Sequence, residues 1–343
     1  MVDAQDPSTT PAARGFRLPA ATVPHERVLL SWPTMGRREF WRNHLGAARD
    51  AFAIVARAMA AFEPVTIVAD EGEGRAAEGW VGDGIDVIEL PIDDSWIRDN
   101  GPLVLTNDGG DRLAIGFGFN GWGGRLNPHD KDAALPLAVA SHFGLEFLAA
   151  PFILEGASIA TDGEGTIVTT ESCLLNPNRN GGLGKPELEA LLHDWLGAHT
   201  VIWLPRGLAD DVGTDGHIDN LLAFVEPGKV LLQGTTDASD PDWHTATESR
   251  RILGDAGLEV IDLDVLPHVE CFEQTVEVPY LNFYLGNGAV FVPLAGAAAD
   301  REMVDLIGSC FPGRVPVGVP GNVLAYGGGG IHCVTQPIPA AVN

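Results

Sequence analysis

The sequence predicts an α/β fold: one closed ring of repeated units, each combining paired strands with a helix. Three observations carry this. Four stretches, "NDGGDRLAIGF", "TDGEGTIVTTE", "EPGKVLLQG" and "GNGAVFVPL", each set a glycine-containing turn before a short apolar strand. Each follows another apolar run, as in "YLNFYLGNG", and two apolar runs around a glycine turn read as a hairpin. The turns recur every roughly 55 to 65 residues, the interval of a repeated structural unit. Helical patterns fill the intervals, and no Ser/Gly/Pro linker divides the chain after its N-terminal segment.

The elements follow in chain order. Residues 1–20 are rich in Pro, Ala and Thr and are expected to form a disordered tail. Residues 21–340 are expected to form a single domain. Its first helix lies in "EFWRNHLGAARDAFAIVARAMAAFEP". There Trp41, Leu45, Ala48, Phe52, Val55, Met59 and Phe62 alternate i+4 and i+3 spacing, and Pro64 stops the pattern. This stripe reads as core. Shorter helical patterns occur near 131–144, 185–197, 243–256 and 297–309.

Composition limits the function. The chain has 343 residues, 45% of them hydrophobic, which is ample for a large core. A net charge of -26 repels nucleic acid and anionic membranes and attracts cationic ligands. Four cysteines, Cys173, Cys271, Cys310 and Cys333, make no disulfide framework and show no CxxC spacing. The N-terminal residues lack the apolar segment of a signal peptide, and no stretch approaches a membrane span, so a cytoplasmic location is expected.

Four polar stretches lie beside apolar strands and near glycine: "DDSWIRDNGP" (93–102), "LEGAS" (154–158), "TDGHIDN" (214–220) and "GGGGIHCVTQ" (327–336). Taken singly, each has a plain reading. "RDNGP" and "EG" suit turns, His217 and Asp219 suit a structural pair, and Cys333 suits a small buried residue. Together, one thiol, one histidine and several acids suggest cysteine catalysis on a cation. A thiolate attacks, a histidine moves protons, and paired carboxylates grip a planar guanidinium. A metal site built on His217, Asp219, His332 and Cys333 is the rival. It lacks a tight ligand motif, and neighbours on a strand would face opposite ways.

The ordered series "PHERVLLSWP", "DDSWIRDNGP", "FNGWGG", "LEGASI", "TTESCLLNPNRN", "TDGHIDN" and "GGGGIHCVTQ" resembles the agmatine deiminase family. That family belongs to a guanidine-modifying superfamily with peptidyl-arginine deiminases, arginine deiminases and amidinotransferases. The resemblance runs from about His25 to Gln336. It implies a five-bladed α/β-propeller (pentein) of pseudo-fivefold ββαβ repeats. It implies Cys333 as nucleophile, His217 as general acid and base, and Glu155 as the acid assisting that histidine. Asp99 and Asp219 are then the guanidinium-binding carboxylates, with Trp96 and Asp93 as further lining residues. The implied reaction passes through a covalent thiouronium on Cys333 and converts agmatine to N-carbamoylputrescine and ammonia. It needs no metal or organic cofactor. The implied partner is a small cationic guanidino substrate, and a homo-oligomer is allowed.

The chain departs from the family pattern at Ala157, Ala160 and Gly330, and Val212 and Gly213 look like additions to a loop. These changes bear on the substrate tail. Deimination or amidino transfer on another guanidine, such as free or peptidyl arginine, is the alternative. A metal-dependent hydrolase and a non-catalytic guanidine-binding protein are two more.

Overall fold

The computed structural model describes residues 9–341, and its strands repeat one arrangement five times. Two strands pair antiparallel, a helix follows, and a third strand returns parallel to the second. One set is Leu103–Thr106, Arg112–Gly118, the helix Asp130–His142 and Glu146–Ile153. The next is Ile159–Thr161, Thr166–Thr170, the helix Lys185–Leu196 and Thr200–Leu204. Then come Leu222–Glu226, Lys229–Gln233, the helix Asp242–Asp255 and Glu259–Leu263. Tyr284–Gly286, Ala289–Leu294, the helix Asp300–Cys310 and Val315–Pro320 form another.

The remaining set joins the two ends of the chain. His25–Ser31 pairs antiparallel with the last strand, Gln336–Pro339. The helix Leu45–Ala60 then leads to Val65–Ala69, parallel to His25–Ser31. Asp86–Glu89 extends this sheet as a fourth, parallel strand. A separate hairpin, His268–Cys271 with Gln274–Glu277, belongs to none of the five sheets.

The local sequence accounts for these elements. Two of the hairpins turn through two residues, Pro227-Gly228 and Asn287-Gly288. Gly228 has φ 83° and Gly288 φ 76°, a region a side chain would strain. The second strand of each set lies between neighbours on both sides and is mostly buried. In Lys229–Gln233, the last four residues are all buried. In the first helix Ala48, Phe52, Val55 and Met59 are fully buried, as the periodicity requires. The helix itself starts at Leu45, so Trp41 packs from the turn before it. Each such large apolar side chain contributes about 1.5–3 kcal/mol by leaving water.

The disordered tail expected over 1–20 is corrected for residues 9–20; residues 1–8 lie outside the described residues. Phe16 is buried against Leu103, Leu105, Trp195 and Leu196. Arg17 exchanges backbone hydrogen bonds with Thr106, and Leu18 N donates to Leu196 O at 3.0 Å. A Pro/Ala/Thr-rich composition gave no warning that one phenylalanine would anchor the segment. Among the described residues, no helix is long and apolar enough to cross a membrane.

Candidate active site

Each of the five sets presents polar residues from the same place, the short segment entering its first strand. Asp99 lies on the turn of helix Ile97–Asn100, ahead of Leu103–Thr106. Glu155 precedes Ile159–Thr161. His217 and Asp219 flank the start of the short helix Ile218–Asn220, ahead of Leu222–Glu226. Asn282 precedes Tyr284–Gly286, and Cys333 precedes Gln336–Pro339. Repetition of the unit therefore brings five distant segments to one buried place.

The contacts around Cys333 are dense. Its Sγ lies 3.3 Å from Asp219 Oδ2 and 3.2 Å from Asn282 Nδ2. Asn282 Nδ2 also donates to Asp219 Oδ2 at 3.0 Å and to Asn220 Oδ1 at 2.8 Å. His332 Nδ1 sits 2.8 Å from the same Asp219 oxygen. His332 and Cys333 therefore share a carboxylate, because they lie on a turn and not on a strand. Adjacency on a turn therefore does not send the two side chains to opposite faces, as it would on a strand.

Asp99 and His217 face each other, with Oδ1 to Nδ1 at 3.8 Å. Both oxygens of Asp99 accept from fixed donors: Trp122 Nε1 at 2.9 Å and Ala157 N at 3.2 Å. Glu155 is paired with Arg179 at 2.6 Å, and both side chains are fully buried. Arg179 reaches on to Asp215 at 2.7 Å. The donor atoms of Glu155, Cys173 and His217 lie within 4.8 Å of one another. Cys173, Arg179, Asn282 and Trp122 were not singled out in the sequence. The best available signal was Asn282, a lone amide inside the apolar run "YLNFY".

Three atoms in this group are buried without a hydrogen-bond partner among the described residues: Asp219 Oδ1, Glu155 Oε2 and His217 Nε2. Buried polar atoms are normally paired, so three together mark a place for a polar ligand. The two carboxylate oxygens can accept from a cation bearing N–H groups, and the imidazole nitrogen can pass a proton to it.

Burial raises Asp99 to about 6, against the pull of His217. Burial also opposes ionisation of Asp219, but the bond from His332 and the charge of His217 hold it below its ordinary value. Burial works against an imidazolium at His217, yet Asp99, then Cys173 and Glu155, raise it well above its ordinary value. Burial, then Asp219 and Asp99, push the Cys333 thiol well up. At neutral pH these directions place a proton on His217 and leave Cys333 as the thiol.

Of the other sequence candidates, Trp96 is buried and stacks on Trp41 with centroids 6.1 Å apart. It backs the glycine loop: a Cβ at Gly329 would lie 2.5 Å from its ring and 3.1 Å from Cys333 Cβ. Asp93 is used elsewhere. Its carboxylate accepts from Lys131 N at 3.0 Å, at the start of helix Asp130–His142. Asp93 is therefore not placed among the site residues; "DDSW" reads as site-like because capping a helix start needs the same residue type. A cavity of about 160 Å³ lies alongside, bordered by Asp219, His332 and Arg98 but not by Cys333, His217 or Asp99.

Two departures from the family pattern lie at the site. Ala157 offers its N–H to Asp99. Gly330 leaves room for Asn282: a Cβ there would sit 2.3 Å from Asn282 Oδ1. Gly330→Ala is expected to displace that amide from Cys333 and Asp219. A misplacement of this size costs on the order of 10²-fold in kcat/KM with little loss of folding. Steady-state kinetics beside a thermal melt checks this. Ala160 is in a strand paired with Val168 and borders the neighbouring cavity.

Comparison with known proteins gives a consistent result. The Porphyromonas-type peptidyl-arginine deiminase family matches residues 17–339. The chain is 37% identical over 365 residues to an agmatine deiminase of Pseudomonas aeruginosa (strain LESB58), covering 98% of each chain. It is 37% identical to an agmatine deiminase of Pseudomonas putida, covering 98% of this chain and 99% of that one. Among solved structures, an agmatine deiminase of Enterococcus faecalis superposes with a TM-score of 0.91 at 31% identity, over 97% of this chain and 98% of that chain.

Proposed function

Because the chain belongs to the Porphyromonas-type peptidyl-arginine deiminase family, we propose that it is an agmatine deiminase, a hydrolase acting on the guanidino C–N bond. The observation that carries this reading is one buried cluster in which the Cys333 thiol lies against Asp219 and Asp99 faces His217. Agmatine is a small guanidinium cation, and the burial of Cys333 and His217 favours a small free substrate over a protein chain. The five ββαβ sets are read as the blades of an α/β-propeller, joined where the last strand meets the first. The enzyme is read as cytoplasmic and as allowing a homo-oligomer.

In this mechanism Asp99 and Asp219 hold the guanidinium nitrogens. The arriving positive charge offsets the two carboxylates that keep the thiol protonated, and Sγ releases its proton to solvent, leaving Asp219 ionised against the guanidinium. The thiolate attacks the guanidinium carbon. His217 gives its proton to the departing nitrogen, and ammonia leaves a thiouronium on Sγ. His217, now neutral, takes a proton from water, which adds to the same carbon. Collapse expels the thiolate, which takes up the hydroxyl proton as the ureido carbonyl forms, and N-carbamoylputrescine is released. Glu155 stabilises the imidazolium of His217 and is held in place by Arg179. Trp96 supports the Cys333 loop.

The pH dependence follows from Asp99. With a value near 6, it is ionised above pH 6 and protonated below. Since kcat/KM reports groups on the free enzyme, it is expected to fall by about tenfold per pH unit below pH 6. Stability moves the other way for this group. Its native value lies above the ordinary 3.8, so between about pH 4 and 6 the native state binds more protons. Its contribution to stability therefore weakens as pH rises through that window. A kcat/KM profile that stays flat from pH 7 to 5 would contradict this assignment.

The substrate is tested by incubating the purified protein with agmatine, free arginine and an arginyl peptide, measuring ureido product and ammonia. Agmatine is expected to have the highest kcat/KM. Clear turnover of another guanidine without turnover of agmatine overturns the substrate reading and leaves the thiol chemistry standing.

A further inference from the structure

We propose that Asp210, His268 and Glu277 form a binding site for a divalent transition-metal ion of the zinc class, outside the catalytic group. The site joins two parts of the fold that the reaction does not use. His268 and Glu277 come from the hairpin that belongs to none of the five sheets, where they stand directly opposite each other. Asp210 comes from the loop that leads to His217.

The spacing suits a single ion. His268 Nε2 lies 3.4 Å from Glu277 Oε2 and 3.7 Å from Asp210 Oδ2. All three donor atoms lie within 4.8 Å of one another. Two ligands about 2.1 Å from a tetrahedral zinc ion stand about 3.4 Å apart. One imidazole and two carboxylates favour zinc and its first-row neighbours over magnesium or calcium, which prefer an all-oxygen shell.

A second observation separates this cluster from an ordinary acidic surface. The Glu277 side chain is only 8% exposed, and its Oε2, the atom facing His268, has no hydrogen-bond partner among the described residues. A buried carboxylate oxygen without a donor is costly unless a cation faces it. Asp211, Asp240 and Asp242 add negative charge around it. Asp242 also accepts from Ala209 N at 2.7 Å, fixing the residue beside Asp210.

The ion would link two segments that enter the catalytic group. Asp211, next to Asp210, accepts from His217 N at 2.9 Å. The segment after Glu277 runs to Asn282, which touches Cys333. Occupancy therefore pins the loop before His217 to the segment before Asn282, while the ion takes no part in the reaction.

The test uses untagged, chelator-stripped protein titrated with zinc chloride by calorimetry, with magnesium chloride as control. It is run in a Cys333→Ala background so that the catalytic thiol does not compete. Zinc is expected to bind with a dissociation constant at or below the micromolar range, raise Tm and slow amide exchange over residues 206–216. Glu277→Gln and His268→Asn are each expected to remove one zinc equivalent and the exchange protection. His268 is partly exposed, so its variant is expected to fold. An isotherm unchanged by both substitutions, zinc binding only at millimolar levels, or an equal response to magnesium would overturn the proposal.

Discussion

Cys333→Ala is expected to lower kcat for agmatine by about 10⁴-fold or more, the scale seen when a covalent nucleophile is removed. Binding should survive. In the proposed mechanism Asp99 and Asp219 hold the guanidinium, and neither depends on the thiol for its position. Asp219 keeps its bonds from His332 and Asn282, and Asp99 keeps those from Trp122 and Ala157. Alanine removes one sulfur from a buried site, so the fold is expected to persist. The check pairs single-turnover kinetics with calorimetric binding of agmatine to the variant. Retained turnover would show that the thiol is not the nucleophile. Lost binding with intact folding would show that the carboxylates are misassigned.

Asp99→Asn is expected to reduce kcat/KM by about 10³-fold. The change looks conservative but is not. Both Asp99 oxygens accept from fixed donors, Trp122 Nε1 and Ala157 N. An asparagine has to turn its NH₂ toward one of them, leaving two donors face to face. It also loses the charge that holds the guanidinium and supports the imidazolium of His217. Hydrogen bonds to a charged group are worth about 1.5–3 kcal/mol each, so losing two spans roughly 10²- to 10⁴-fold. The acid limb near pH 6 should disappear from the kcat/KM profile of the variant. A loss of activity with that limb unchanged would mean that another group sets it.

The hairpins and helices were legible because their signals are local. A glycine turn between two apolar runs needs nothing distant, and all four predicted hairpins are present. The set joining the chain's ends was not legible as a hairpin, since His25–Ser31 and Gln336–Pro339 lie at opposite ends of the sequence. The tail was misread because burial of Phe16 depends on a groove made by residues 103–196.

At the site, polar residues beside glycine at strand ends pointed to Asp99, Glu155, His217, Asp219 and Cys333. Their shared position before the first strand of each set explains why the signal repeats along the chain. The supporting residues were hidden because their roles come from tertiary contact. Arg179 matters through Glu155, Cys173 through His217, and Asn282 through Cys333. Asp93 shows the converse, a site-like residue whose contacts serve a helix start.

The central claim is that one thiol carries the substrate through a covalent intermediate. The direct measurement is acid-quench mass spectrometry of the enzyme during turnover of agmatine, followed by peptide mapping. The expected result is a mass increase equal to agmatine less ammonia, on the peptide containing Cys333 and absent from Cys333→Ala. An adduct mapped to another residue, or full turnover by Cys333→Ala, would contradict the account.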